Sequence, residues 1–244
     1  MGMIAVAYLE VWSRMFYWLL KHIVAGPFLR SLFGPDVVGA EHLPKKKGAV
    51  IFASNHLSVI DSFLLPLVLR RRIYFLAKSE YFTGKGVKGA LTRWFFKSTG
   101  MLSIDRSGGK ASEASLRTGL EVLNRGDWLG IYPEGTRSPD ARLYRGRTGI
   151  ARMILECERP VQVVPVVMVD AEKIMPPGAK RPKPGRVGIR FGKPLEFSRY
   201  QGMEPNRFIL RSITDEVMSE IAALSDQEYV DGYASSYKNR AVTA

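Results

Sequence analysis

The chain has 244 residues, with 36 Lys+Arg against 23 Asp+Glu, a formal charge of +13, and 46% hydrophobic residues. That balance excludes a disordered chain, and the length admits one large domain or two small ones. A single cysteine, Cys157, excludes an intrachain disulfide scaffold; with three histidines beside it, a zinc site of His and Cys would need all four together, so no metal is expected.

Residues 3–33 are rich in Leu, Val, Phe, Tyr and Trp, but Glu10, Arg14 and Lys21 interrupt them at spacings of 4 and 7. A transmembrane helix needs ~20 mostly apolar residues, and no basic leader or small-residue cleavage site marks a signal peptide. The three charges share one helical stripe and leave a broad apolar face with Trp12, Phe16 and Leu19. The pattern predicts a membrane-associating segment over 1–34, built of interfacial helices at 3–25 and 27–33 and broken at Gly26-Pro27. An ordinary helix docked on the core is the alternative.

From residue 35 strands and helices alternate. Strands are expected at 37–41, 49–54, 73–77, 101–104, 128–132, 161–169 and 187–191. Helices are expected at 58–69, 87–97, 110–125, 148–156 and 205–224. The run AVIFAS is nearly continuous in apolar residues, the mark of a strand buried on both faces. The reading is an α/β fold: a mixed, mostly parallel sheet flanked by helices, filling 35–224. Residues 133–146 read as a long polar loop and 225–244 as a weakly ordered tail.

Functional groups in such sheets gather at the carboxyl ends of strands, and three polar clusters fall there. Asn55-His56-Leu57-Ser58-Val59-Ile60-Asp61 places a histidine between a buried strand and a helix start. Asp61 in the first turn can orient that imidazole, or it can cap Ser58 in a capping box. Tyr132-Pro133-Glu134-Gly135-Thr136-Arg137-Ser138 is a tight loop in which Arg137 can grip an anion, or a turn with a surface ion pair. Arg106, after Asp105, ends another strand as an anion ligand or as an edge salt bridge.

Together these blocks resemble the 1-acylglycerol-3-phosphate acyltransferases and the wider glycerophospholipid acyltransferases. Asn55-His56-x-x-x-x-Asp61 is similar to the family's H-x-x-x-x-D motif, and Gly100 to Arg106 to its second block. Tyr132 to Ser138 resembles the third, phosphate-gripping block, and Val164-Pro165-Val166 the fourth. Order and spacing agree over roughly residues 37–195. After the third block Gly146-Arg147-Thr148-Gly149 offers arginine where the family often has lysine.

The resemblance implies acyl transfer from a thioester to the free hydroxyl of 1-acylglycerol 3-phosphate, with phosphatidic acid as product and no acyl-enzyme. His56 would be the general base and Asp61 its orienting partner. Arg137 and Arg106, with Arg147 and Lys78, would hold the acceptor phosphate, while Glu134, Gly135 and Thr136 shape or contact the site. Backbone N–H groups near Gly135 or at Ser58 are candidates for the oxyanion. Cys157, expected mid-helix between Glu156 and Glu158, makes a poor nucleophile. No tightly bound cofactor is implied, only acyl-CoA or an acyl carrier protein thioester as co-substrate. Glycerol 3-phosphate or another lysophospholipid is the alternative acceptor, and a non-catalytic lipid- or nucleic-acid-binding protein the alternative class.

Charge placement bears on the partners. Residues 200–244 hold 4 basic and 7 acidic residues, whereas 65–100 hold 8 basic and 1 acidic. Residues 173–193 hold 7 basic and none acidic. No nucleic-acid-binding signature accompanies these patches. They point to an anionic membrane surface and phosphorylated ligands, hence to the cytoplasmic face of the cell membrane, peripheral or monotopic.

Overall fold

The computed structural model describes residues 12, 13, 15–104, 110–179 and 181–242. A helical segment at 15–19 runs through a π turn, Leu20–Val24, into α1, Ala25–Phe33. The expected break at Gly26-Pro27 is therefore a change of winding. Pro27 brings no N–H, and the Ala25 N–H bonds Leu20 O five residues back. A Cβ at Gly26 would stand 1.6 Å from Lys21 O, so only glycine fits there. Lys21 also departs from the expected polar stripe. It is buried, and its Nζ donates to the carbonyl of Leu69 just past the end of the helix Asp61–Val68. Arg30 Nη2 donates to Leu67 O at 2.7 Å, so two cations serve the carbonyl end of that helix, where the dipole favours them.

The chain then gives β1 (Asp36–Val38), β2 (Ala49–Ser54), α2 (Asp61–Val68), β3 (Ile73–Lys78), α3 (Gly86–Ser98), β4 (Met101–Ile104), α4 (Lys110–Asn124) and β5 (Trp128–Ile131). There follow β6 (Leu143–Tyr144), α5 (Gly149–Glu156), β7 (Val161–Val169), α6 (Ala171–Ile174), β8 (Gly188–Phe191), β9 (Leu195–Glu196), α7 (Arg207–Leu224), β10 (Tyr229–Val230) and α8 (Ala234–Val242). Among the described residues one sheet runs β1-β8-β7-β2-β5-β3-β4, with β9 beside β7. Only the β7–β8 and β7–β9 pairings are antiparallel, so the sheet is mixed and mostly parallel.

β2, the middle strand, is buried along its whole length. Its side chains alternate between two cores: Val50 and Phe52 join Leu64, Phe191 and α1's Phe33, while Ala49, Ile51 and Ala53 join Leu123, Ile154, Ile213 and Val217. Helices on both faces explain why its sequence is apolar without period-2 relief. α7 starts at Asn206, whose Oδ1 accepts from the N–H groups of Phe208 and Ile209, and buries Ile213, Val217 and Ile221.

Two expectations fail at segments too short for periodicity. The loop expected over 133–146 contains β6, and the tail expected to be weakly ordered supplies β10, which pairs with β6, and α8. Ala234 is fully buried, and the rings of Tyr144 and Tyr237 lie 5.1 Å apart, so packing on an invisible partner orders this tail. The first strand stops at Val38 because Gly39, at φ 78°, lies where a Cβ would meet Phe191 O at 2.1 Å.

Candidate active site

β2 and β7 run parallel until β2 ends with Ser54 opposite Val166, and β7 continues to Val169. Beyond that register the side chain of Asn55 continues the ladder. Its Oδ1 accepts from Met168 N–H at 2.7 Å and its Nδ2 donates to Met168 O at 3.0 Å. His56 leaves the sheet from this fixed point and is gripped on both backbone sides by the 133–138 loop. Its N–H donates to Glu134 Oε1 at 3.1 Å, and its carbonyl accepts from Ser138 N–H at 2.8 Å.

Asp61 opens α2 and is fully buried. Its Oδ2 accepts from His56 Nδ1 and from the N–H groups of Leu57 and Ser58, each at 2.9 Å. Both sequence readings of Asp61 therefore hold at one atom: it terminates the turn before α2 and fixes the imidazole, whose Nδ1–H donation leaves Nε2 as the proton acceptor. Ser58 does not cap with its hydroxyl, which donates to Met175 O at 2.8 Å. The two remaining histidines serve elsewhere, His42 against Phe191 O and His22 against Trp18.

The ring of Tyr132 lies under His56, 3.8 Å between centroids and 10° between planes, and Phe75 backs it at 5.8 Å. Tyr132 and Ser62 share a hydroxyl hydrogen bond at 2.7 Å. Burial, and then the Asp61 charge, push the Tyr132 phenol well above its ordinary value, so it stays a neutral platform. Local residue pattern carries no sign of this stack, because it depends on β5 lying beside β2.

Glu134 is 1% exposed and holds two chain segments at once, since its Oε2 accepts from Tyr144 N–H at 3.0 Å. Burial pushes its carboxyl up to about 8, although the two N–H donors pull the other way. Gly135, at φ 76°, turns the loop, and a Cβ there would press on Arg147 Cδ at 2.9 Å. Its N–H donates to Tyr132 O, and those of Leu57 and Ser58 are taken by Asp61. The N–H groups of Gly135, Leu57 and Ser58 are thus already committed to holding the loop and the turn.

Of the expected phosphate ligands, Lys78 ends β3 and Arg137 lies in the 133–138 loop, both close enough to Lys238 for their charges to act on it. Arg147 points its Nη2 to Ser235 Oγ at 2.9 Å and stacks over Tyr233. Arg106 lies outside the described residues. Thr136 Oγ1 accepts from Lys238 Nζ at 2.6 Å, a contact the sequence did not indicate. Cys157 stands just past the end of α5, its thiol raised first by burial. An apolar cavity of about 140 Å³ runs between the N-terminal helix, α2 and α3, bounded by Leu20, Phe63, Phe95 and Met101, and reaches Ser62, the partner of Tyr132.

A histidine–carboxylate pair at the carboxyl end of the middle strand, clamped by a glycine-turned loop and flanked by cations, defines an α/β protein with an enzyme-type polar site. Comparison with known proteins gives the family. The chain belongs to the Acyltransferase family, whose model matches residues 34–169. It is 28% identical over 196 residues to a 1-acyl-sn-glycerol-3-phosphate acyltransferase of Bacillus subtilis, covering 80% of this chain and 89% of that one. It is 26% identical over 191 residues to a chloroplastic 1-acyl-sn-glycerol-3-phosphate acyltransferase of Arabidopsis thaliana, covering 78% of this chain. The chain spans about half the length of the chloroplastic relatives it matches, 51% and 53%. The fold is shared with the crystal structure of the 1-acyl-sn-glycerophosphate acyltransferase PlsC from Thermotoga maritima, at a TM-score of 0.60, 23% identity and 92% coverage of both chains.

Proposed function

We propose that the protein moves a fatty acyl group from an acyl thioester to the free hydroxyl of 1-acylglycerol 3-phosphate, forming phosphatidic acid. The observation that carries this reading is the His56–Asp61 pair, 2.9 Å apart and clamped through the His56 backbone by the loop that holds Arg137, in a chain of the Acyltransferase family. An alcohol is a poor nucleophile near neutral pH. His56 Nε2 takes the hydroxyl proton as the oxygen attacks the thioester carbonyl, and Asp61 stabilises the imidazolium. The tetrahedral intermediate then collapses: the C–S bond breaks and the thiolate leaves with the proton from His56. No resident cofactor enters, because the donor, acyl-CoA or acyl carrier protein, brings its own activated carbonyl.

Arg137 and Lys78 hold the acceptor phosphate, Arg137 by its planar fork. Arg147 backs Gly135 and so sets the loop that carries Arg137. The cavity beside Ser62 takes a stretch of acyl chain, its apolar lining matching a hydrocarbon. The exposed Trp12, Trp18, Ile23 and Phe28 rest in the headgroup region of an anionic membrane, on its cytoplasmic face.

The test is an acyl-transfer assay of the purified protein against a small matrix of thioester donors and glycerol phosphate acceptors. Arg137→Ala is expected to raise the Michaelis constant for the phosphorylated acceptor about tenfold or more, the loss of one charge-assisted contact. An unchanged constant removes Arg137 from the phosphate site.

A further inference from the structure

The C-terminal helix α8, outside the matched region, carries a lysine that enters the site. Lys238 crosses to the 133–138 loop and donates to Thr136 Oγ1 at 2.6 Å. An ammonium group has three N–H donors, so this bond leaves two for another acceptor. Its neighbours do not neutralise it. Arg137 and Lys78 add two more positive charges. The nearby carboxyl, Glu134, is raised to about 8 by burial, and its two oxygens already accept the N–H groups of His56 and Tyr144.

Three cations gathered beside one carboxyl repel one another, and Glu134 offsets that only in part. A dianionic ligand would offset the rest. The helix is also built to stay in place: Ala234 is fully buried, Ser235 accepts from Arg147, and the Tyr237 ring packs on Tyr144. The lysine is therefore held at the loop by its scaffold and does not depend on its own hydrogen bond to get there.

We infer that Lys238 is a third cation for the acceptor's phosphate, acting with Arg137 and Lys78 and delivered by the C-terminal helix. The inference deepens the proposed function and rests on it for the identity of the phosphorylated molecule, while the phosphate contact itself is separately testable. Burial and the two neighbouring cations hold the Lys238 ammonium below the ordinary lysine range. A bound phosphate would reverse that direction.

The test uses Lys238→Met, which keeps the stem and removes the charge, with Lys238→Gln as a second variant that retains a donor for Thr136. Two readouts are taken on the full chain: the affinity for glycerol 3-phosphate by calorimetry, and kcat and KM with 1-acylglycerol 3-phosphate and with 1-acylglycerol lacking the phosphate. Both variants are expected to weaken glycerol 3-phosphate binding about tenfold, close to 1.4 kcal/mol. They are expected to raise KM for the phosphorylated acceptor alone, with kcat within about twofold, and Lys238→Arg should restore both. Unchanged affinity and KM, or equal losses with both acceptors, would overturn the inference and leave Lys238 as a strut for α8. A wild type that binds glycerol 3-phosphate through Lys238 yet transfers no acyl group refutes the proposed function and leaves the phosphate contact standing.

Discussion

Glu134 sits between the two blocks of the site, taking His56 N–H on one oxygen and Tyr144 N–H on the other. Its raised value, about 8 against an ordinary 4.5, sets a pH signature. Between those limits the folded chain holds a proton that the unfolded chain has released, so Glu134's contribution to stability falls as pH rises from about 4.5 to about 8 and levels off above. Glu134→Gln keeps the shape but turns an NH2 group towards one N–H, costing about 1–3 kcal/mol. Denaturant unfolding of wild type and variant at pH 5 and pH 8 reads the sign. The wild type's advantage should shrink at pH 8, and an advantage that grows with pH contradicts the raised value.

The His56–Asp61 pair was legible as one of two readings, because a carboxylate in the first turn after a buried strand can reach back either to the histidine or to the Ser58 N–H, and it reaches both. The Tyr132 platform and the Asn55 ladder were not legible. Each depends on a neighbouring strand, β5 for Tyr132 and β7 for Asn55, and pairing partners leave no trace in local sequence.

At the scale of elements, the sheet was readable from runs such as AVIFAS, since burial on both faces demands continuous apolar residues. The C-terminal segment was not. β10 has two residues, and α8 lies in a stretch with an acidic excess, yet Gln227 just before β10 bonds Asn55 and Lys238 of α8 bonds Thr136. Gln227 accepts from Asn55 Nδ2 at 2.6 Å and donates to Ala141 O, so this segment braces the residue from which His56 departs. Gln227→Ala should lower the unfolding free energy by about 1–2 kcal/mol, the loss of two part-buried hydrogen bonds. Chemical denaturation measures this, and a variant as stable as wild type would show that the brace carries no energy.

For the molecule as a whole, the positive charge divides by location. Arg71, Arg72, Arg125 and Arg159 line a cleft of about 540 Å³ at the amino ends of β2, β3 and β5, the end of the sheet away from His56. Lys78, Arg137 and Lys238 stand at the other end. The exposed apolar residues of the N-terminal helix meet those of α3, Leu91 and Trp94, with Phe16 and Trp94 rings 4.3 Å apart. Among the described residues no helix is long and apolar enough to cross a membrane. Cosedimentation should show binding to vesicles containing anionic lipid that weakens with salt, by about 1 kcal/mol for each basic residue engaged. Phe28→Ala should lower that binding about tenfold, in line with one buried apolar side chain. Equal binding to neutral vesicles at all salt concentrations would separate the charge from the membrane.

The central claim is that His56 is the base of an acyl transfer. Its most direct test compares the initial rate of phosphatidic acid formation by wild type and by His56→Ala, with acyl-CoA and 1-acylglycerol 3-phosphate supplied in vesicles. His56→Ala is expected to fold and to lose about 10²–10⁴-fold in kcat, with some fall in melting temperature because buried Asp61 loses a hydrogen bond and Tyr132 its stacked ring. A His56→Ala protein that still turns over at the wild-type rate would contradict it.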